Sequence, residues 1–146
     1  MGISADQAKA LKDCIAVVAQ NPDGNGKALF IKMFEMNPGW VEKFPAWKGK
    51  SLDEIKASDK ITNHGGKVIN ELANWINNID SASGILKSQG TAHKGRSIGI
   101  EYFENVLPVI DATFAQQMGG AYTAAMKDAL KAAWTGVIVP GMKAGY

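Results

Sequence analysis

The sequence predicts an all-helical single domain, and three observations carry that reading. No stretch alternates polar and apolar residues with the period of two that marks a half-buried strand. Apolar residues recur instead at spacings of three and four, the repeat of one face of a helix. Serine also stands three residues before glutamine or glutamate at the start of two such runs, which is the spacing of a capping box.

The elements follow in order. In SADQ, Ser4 precedes Gln7 by three and opens a first helix with Leu11, Ile15 and Val18 on one face. NPDGNG, at 21–26, supplies turn residues, and a second helix then runs to about Asn37 with Phe30, Met33 and Phe34 as its stripe. Pro38 cannot continue that helix but can open the next short one. GWVEKFPAWKGK reads as a helical turn entering a loop, and its Phe44 and Trp47 predict that the loop lies over something apolar. SLDE, at 51–54, starts a brief helix to about Ala57, and SDK, at 58–60, starts a long one. In the long helix His64, Val68, Leu72 and Ile76 repeat every four residues, and DSASG ends it.

A segment from about Ile85 to Lys94 holds the second histidine, His93. IGIEYFENVLPVIDATF reads as a helix from about Gly99, kinked or broken by Pro108 and closed by MGG. The last helix presents Tyr122, Met126, Leu130, Ala133, Trp134 and Val137, and Pro140 bends or ends it. The total is about seven to eight helices, with no internal repeat.

Composition narrows the function. A chain of 146 residues matches a common single-domain size, and 46% apolar with 21% charged residues is ordinary for a soluble globular protein. Its 16 basic and 14 acidic residues are interspersed, which is a poor footprint for nucleic acid. No apolar run approaches the 18 or more residues of a membrane span, and no basic start precedes an apolar stretch as in a secretory signal. Asp6 stands where a myristoylation motif expects Ser or Thr. A single cysteine, Cys14, excludes an internal disulfide and a cysteine zinc cage, and no HExxH is present. The cytoplasm is the simplest location.

Only two side chains offer imidazole. Taken alone, His64 reads as a hydrogen-bonded core residue, and His93, beside Lys94 and Arg96, as part of a solvated basic turn. Gly65 and Gly66 then set a problem, since each glycine in a helix interior costs roughly 1 kcal/mol relative to alanine. The pair asks for a packing or functional reason.

The spacing of Phe30, Phe44, His64, Val68 and His93 in an all-helical chain of this length resembles that of the globins, over nearly the whole sequence. FPAWKGKSLDEIKAS, NHGGKVINEL and ENVLPVIDATF are particularly similar to molluscan (gastropod) myoglobins and haemoglobins. The resemblance implies a globin fold around haem b (protoporphyrin IX iron), with His93 as proximal iron ligand and His64 as distal histidine stabilising bound oxygen. It further implies that Phe44 wedges against the porphyrin, Val68 lines the ligand side, and Phe30 closes the back of the pocket. Ile98 and Phe103 match positions that pack on haem, and Leu72 lies deeper on the same stripe. At Gly65 and Gly66 the resemblance implies a close approach of two helices, with a looser turn that lets His64 swing as a hypothesis. Lys67 is placed for a haem propionate or the ligand, with Arg96 and Lys48 as weaker propionate candidates. Three positions depart from the pattern: Cys14 replaces a common tryptophan, Gln89 an apolar residue, and Trp47 a phenylalanine.

The function so implied is reversible oxygen storage or transport, with dioxygen, CO and NO as ligands and no enzymatic role beyond side activity toward peroxide or nitric oxide. The rival reading is a bis-histidine redox or signalling globin in which His64 itself takes the sixth iron position. Monomer and homodimer both remain open. Trp75 and Ile79 are candidates for exposed dimer contacts, with packing inside the chain the favoured use.

Overall fold

The computed structural model describes residues 2–146, and every regular element among them is helical. In chain order these are α1 (Ala5–Val18), α2 (Pro22–Met36), a 3-10 helix (Pro38–Lys43), α3 (Leu52–Lys56), α4 (Asp59–Asn77), α5 (Ser83–Gly95), α6 (Ile100–Asn105), α7 (Leu107–Met118), α8 (Ala124–Ala133) and α9 (Val139–Lys143). A π-turn, Trp134–Ile138, joins α8 to α9 as one rod, so eight α-helical segments result among the described residues, besides 3-10 turns at Pro38–Lys43, Ile79–Ser81 and Gly119–Ala121. None is long and apolar enough to cross a membrane.

The predicted starts are built as the sequence spells them. Ser4 Oγ accepts from the Gln7 N–H at 3.1 Å while Gln7 Oε1 accepts from the Ser4 N–H at 3.0 Å, and Ser51 and Glu54 repeat this reciprocal pair at α3. Each box satisfies two N–H groups that the first turn leaves without helical partners. Pro108 falls at the start of α7, just after the chain breaks at Val106. Pro140 begins α9; it offers no N–H to the Gly136 carbonyl and crowds it, and the wide π-turn absorbs the misfit.

One boundary differs from the sequence reading. NPDGNG is not a turn: Asn21 caps the Gly24 N–H at 3.1 Å, Pro22 takes the first helical position, and the glycines form the opening turns of α2. Tertiary packing explains the glycines. A Cβ on Gly26 would strike the Gly65 backbone, and a Cβ on Gly65 would meet the Gly26 carbonyl carbon, with Gly26 O and Lys27 N both at 2.7 Å. The α2–α4 crossing is therefore backbone on backbone, which only a glycine on each helix allows. Gly66 differs, since a Cβ there would meet only the exposed side chain of Asp23.

A second correction concerns the stripe of α4. Its buried residues are Ile61, Gly65, Gly66, Ile69, Leu72, Trp75 and Ile76, whereas His64 is exposed and Val68 half-buried. A repeat of four drifts about 40° per step on a helix of 3.6 residues per turn, so the His64–Ile76 series winds from the pocket side into the core. Trp75 and Ile79 are each 5% exposed, so they belong to that core and offer no surface for a partner. The main core joins α1, α4, α7 and α8, while a smaller cluster of Phe30, Phe34, Trp47, Ile55 and Ile61 lies under the loop after the 3-10 helix. Val68 packs against both clusters.

Candidate functional site

His93 lies near the end of α5. Its Nδ1 is 2.7 Å from the Gln89 carbonyl oxygen, which can only accept, so Nδ1 carries the proton and Nε2 presents its lone pair. Gln89 uses its backbone for this bond, which makes the unusual side chain there immaterial to it. On the far side, Phe103 meets the imidazole edge to face, with ring centroids 4.8 Å apart and planes at 89°.

The corner after α5 is tied down from two directions. Ser97 takes a left-handed conformation (φ 62°) that lets the Ile98 N–H reach the His93 carbonyl at 3.0 Å. Lys43 Nζ donates to the Ser97 carbonyl at 3.1 Å, and Tyr146 Oη donates to the Ile98 carbonyl at 2.7 Å. Lys94 Nζ and Thr91 Oγ1 in turn hold the backbone oxygens of Tyr146 and Gly145 at 2.7 and 2.9 Å. The end of the chain thus braces the helix that carries His93.

His64, on α4, lies among a different set of rings. Its ring centroid lies 5.1 Å from Phe30, 5.8 Å from Trp47 and 6.1 Å from Phe44. Phe30 meets Phe44 and Trp47 in tilted or edge-to-face contacts at 5.5 and 5.3 Å, the geometry that aromatic quadrupoles favour. Phe30 is buried, as expected for the back of a pocket, and Phe44 is half-buried. The loop over these rings does cover an apolar surface, and Trp47 goes deepest, at 1% exposed with its indole N–H unpartnered. Phe44, Trp47, Lys60, His64 and Lys67 line an open cleft of about 290 Å³ there.

His64 is exposed as a residue, yet the rings packed on its imidazole desolvate it and push it below the ordinary histidine value, and the charges of Lys67, Arg96 and protonated His93 lower it further. His93 is also held down, first by burial and then by Arg96, while the bond to Gln89 opposes the shift. Both rings are therefore biased to the neutral form, and His64 feels the charge of His93. Val68, Phe103 and Ile98 are half-buried, Leu72 sits in the core at 4% exposed, and Lys67 is exposed. Among the described residues no group of three His, Cys, Asp or Glu could hold a bare metal ion. The residues fit a flat apolar group carrying its own metal: one nitrogen donor on a braced helix, a second imidazole on α4, and apolar rings beside each.

Some of these residues carried no sequence signal. Tyr146 and Lys43 act through backbone carbonyls far away in the chain, and nothing local announces such a bond. Gly26 did carry one, a glycine pair on α2 matching the pair on α4.

Helices in this order, with one imidazole on α4 and another on α5, have the architecture of a globin. The globin family model matches residues 27–142, and the chain belongs to that family. It is 97% identical to Globin-1 of Liolophura japonica over 145 residues, covering 99% of this chain and all of that one. A globin of Aplysia limacina is 33% identical over 99% of this chain and 98% of its own length. Among solved structures, ferric Aplysia limacina myoglobin superposes with a TM-score of 0.88 at 28% identity over 99% of both chains. The globin fold implies a haem cofactor.

Proposed function

We propose that this globin binds dioxygen reversibly through haem b, as a cytoplasmic, myoglobin-like store or carrier acting as monomer or homodimer. The observation that carries the proposal is the His93 tautomer, with Nδ1 committed to Gln89 and Nε2 free to bind a metal. When bound, haem supplies the iron centre at which dioxygen, CO or NO is taken up.

The chain's own residues do the rest. His93 would hold the iron through Nε2, and the Gln89 carbonyl would keep its ring oriented and electron-rich. His64, neutral at physiological pH, would present an N–H toward the ligand side. Phe30, Phe44 and Val68 would exclude the water and protons that favour oxidation. Ile98, Phe103 and Leu72 would bed the apolar face, and Lys67 would pair with a propionate, with Arg96 and Lys48 as further cations. Among the described residues no second acid or base is hydrogen-bonded to His64, so O–O cleavage is poorly served and enzymatic turnover is a side activity at most.

Absorption spectra of the purified protein test this in three states: dithionite-reduced, oxygenated and with CO. A broad ferrous band that splits reversibly in oxygen is expected. Sharp split bands before any ligand is added would place His64 on the iron and favour the redox or signalling reading. Absence of any haem band after haem is supplied would refute the proposal.

A further inference from the structure

The break between α6 and α7 leaves the carbonyls at the end of α6 without helical partners. One of them, on Phe103, is taken by a residue 31 positions away: Trp134 Nε1 donates to it at 2.6 Å. Trp134 is 2% exposed and is the first residue of the π-turn. That turn is closed by the Val139 N–H reaching back five residues to the Trp134 carbonyl, a widening that helices often place at working sites. Phe103 is the residue whose ring meets His93 edge to face at 4.8 Å. Trp134, Phe103 and His93 thus form one chain of contacts, from the π-turn of the last rod to the imidazole.

We propose that Trp134 is a positioning residue for His93, acting through Phe103. Its N–H fixes the backbone at the α6–α7 break, and the Phe103 ring so held sets the plane of the imidazole. The Gln89 bond alone fixes the tautomer but leaves the imidazole latitude to rock about its Cβ–Cγ bond. Phe103, standing at 89° to the ring, opposes this rotation. The proposal rests on His93 being the haem ligand.

The experiment compares the haem-loaded wild type with Trp134→Phe, Phe103→Leu and the double variant. Trp134→Phe keeps the bulk of an aromatic ring and removes the donor, leaving the Phe103 carbonyl buried and unpaired. The iron–imidazole stretch in the ferrous, ligand-free protein is expected to shift and broaden in both single variants. Haem transfer to an acceptor globin is expected to be about tenfold faster, as for loss of one buried hydrogen bond. Because Trp134 acts through Phe103, the double variant is expected to match Phe103→Leu rather than the sum of the two. An unchanged stretch in Trp134→Phe, or additive effects, would overturn the proposal.

A second measurement covers failure of haem loading or of folding. In haem-free wild type and Trp134→Phe, proton NMR follows the ring-current shifts of the His93 imidazole protons, which Phe103 imposes. Altered shifts support the positioning role, and identical shifts overturn it. Lack of haem binding by the wild type would sink the proposed function separately. Where Trp134→Phe does not fold, the indole N–H of wild-type Trp134 decides: protection from exchange at the level of the core supports the bond, and rapid exchange overturns it.

Discussion

Gly65→Ala and Gly66→Ala are adjacent and chemically identical changes, and the structure assigns them opposite signs. Both gain about 1 kcal/mol of helix propensity. At Gly65 the new methyl falls on backbone atoms of α2, with Gly26 O and Lys27 N at 2.7 Å, well inside van der Waals contact. Neither helix can yield there without opening the crossing, so the overpacking cost belongs near the upper end of the usual range, about 3 kcal/mol. The net expectation is a destabilisation of about 2 kcal/mol, or a fall in Tm of roughly 6 °C for a chain of this size. At Gly66 the obstacle is the carboxylate of Asp23, the end of an exposed side chain that can rotate away. Propensity then dominates, and a gain of about 0.5–1 kcal/mol is expected. Urea unfolding of the haem-free proteins, followed by circular dichroism and tryptophan fluorescence, measures both. The same sign and size at the two positions would refute the claim that the α2–α4 backbone contact decides the outcome. The same pair of variants tests the loose-turn idea: Gly65 is wedged, so only Gly66→Ala is expected to alter ligand-binding kinetics by stiffening the turn beneath His64 without moving the helix.

Three further expectations follow from the site and the core. His64 and His93 both sit below the ordinary histidine value, so between about pH 6.5 and their folded values the unfolded chain binds more protons than the folded one. Stability of the haem-free protein should therefore fall as the pH drops below about 6.5, and a His64→Gln, His93→Gln variant should flatten that part of the profile; an unchanged slope would contradict the assignment. The Cys14 thiol is fully buried, and burial pushes it up to about 11, so a thiol reagent at pH 8 should label it only as fast as the chain unfolds, and rapid labelling of native protein would show the site to be open. Trp47→Phe removes a buried N–H that has no partner as well as some ring volume, two effects of opposite sign, so unfolding in urea should change by less than about 1 kcal/mol; a loss above about 2 kcal/mol would mean that the indole N–H has an unrecognised acceptor.

Much of the helical order was legible in the sequence because its signals are local. Serine caps, proline at helix starts and apolar residues every three or four positions act within one or two turns, and Ser4, Ser51, Pro38 and Pro108 do in the fold what their spacing predicts. The misreadings share one cause. NPDGNG looks like a turn because glycine and asparagine favour turns locally, yet its Gly26 makes a contact with α4, about 40 residues later, while Gly24 sits against the capping side chain of Asn21. Trp75 and Ile79 could not be placed inside or outside, because their burial depends on which helices pack over α4. Likewise the repeat of four that joins His64 to Ile76 hid the rotation that brings one end to the pocket and the other to the core.

The sequence by itself determined the helices, the two histidines as the only imidazoles, and the family to which their spacing belongs. Tertiary structure decided the surroundings of those histidines. The Gln89 bond selects the His93 tautomer, burial and Arg96 bias both rings toward the neutral form with Lys67 adding to this at His64, and Trp134 reaches the Phe103 carbonyl from the last rod of the chain. The physical reason is range: caps and periodicity are settled between near neighbours in the chain, whereas desolvation, backbone approach and hydrogen bonds across the fold depend on residues tens of positions apart whose distance only packing sets.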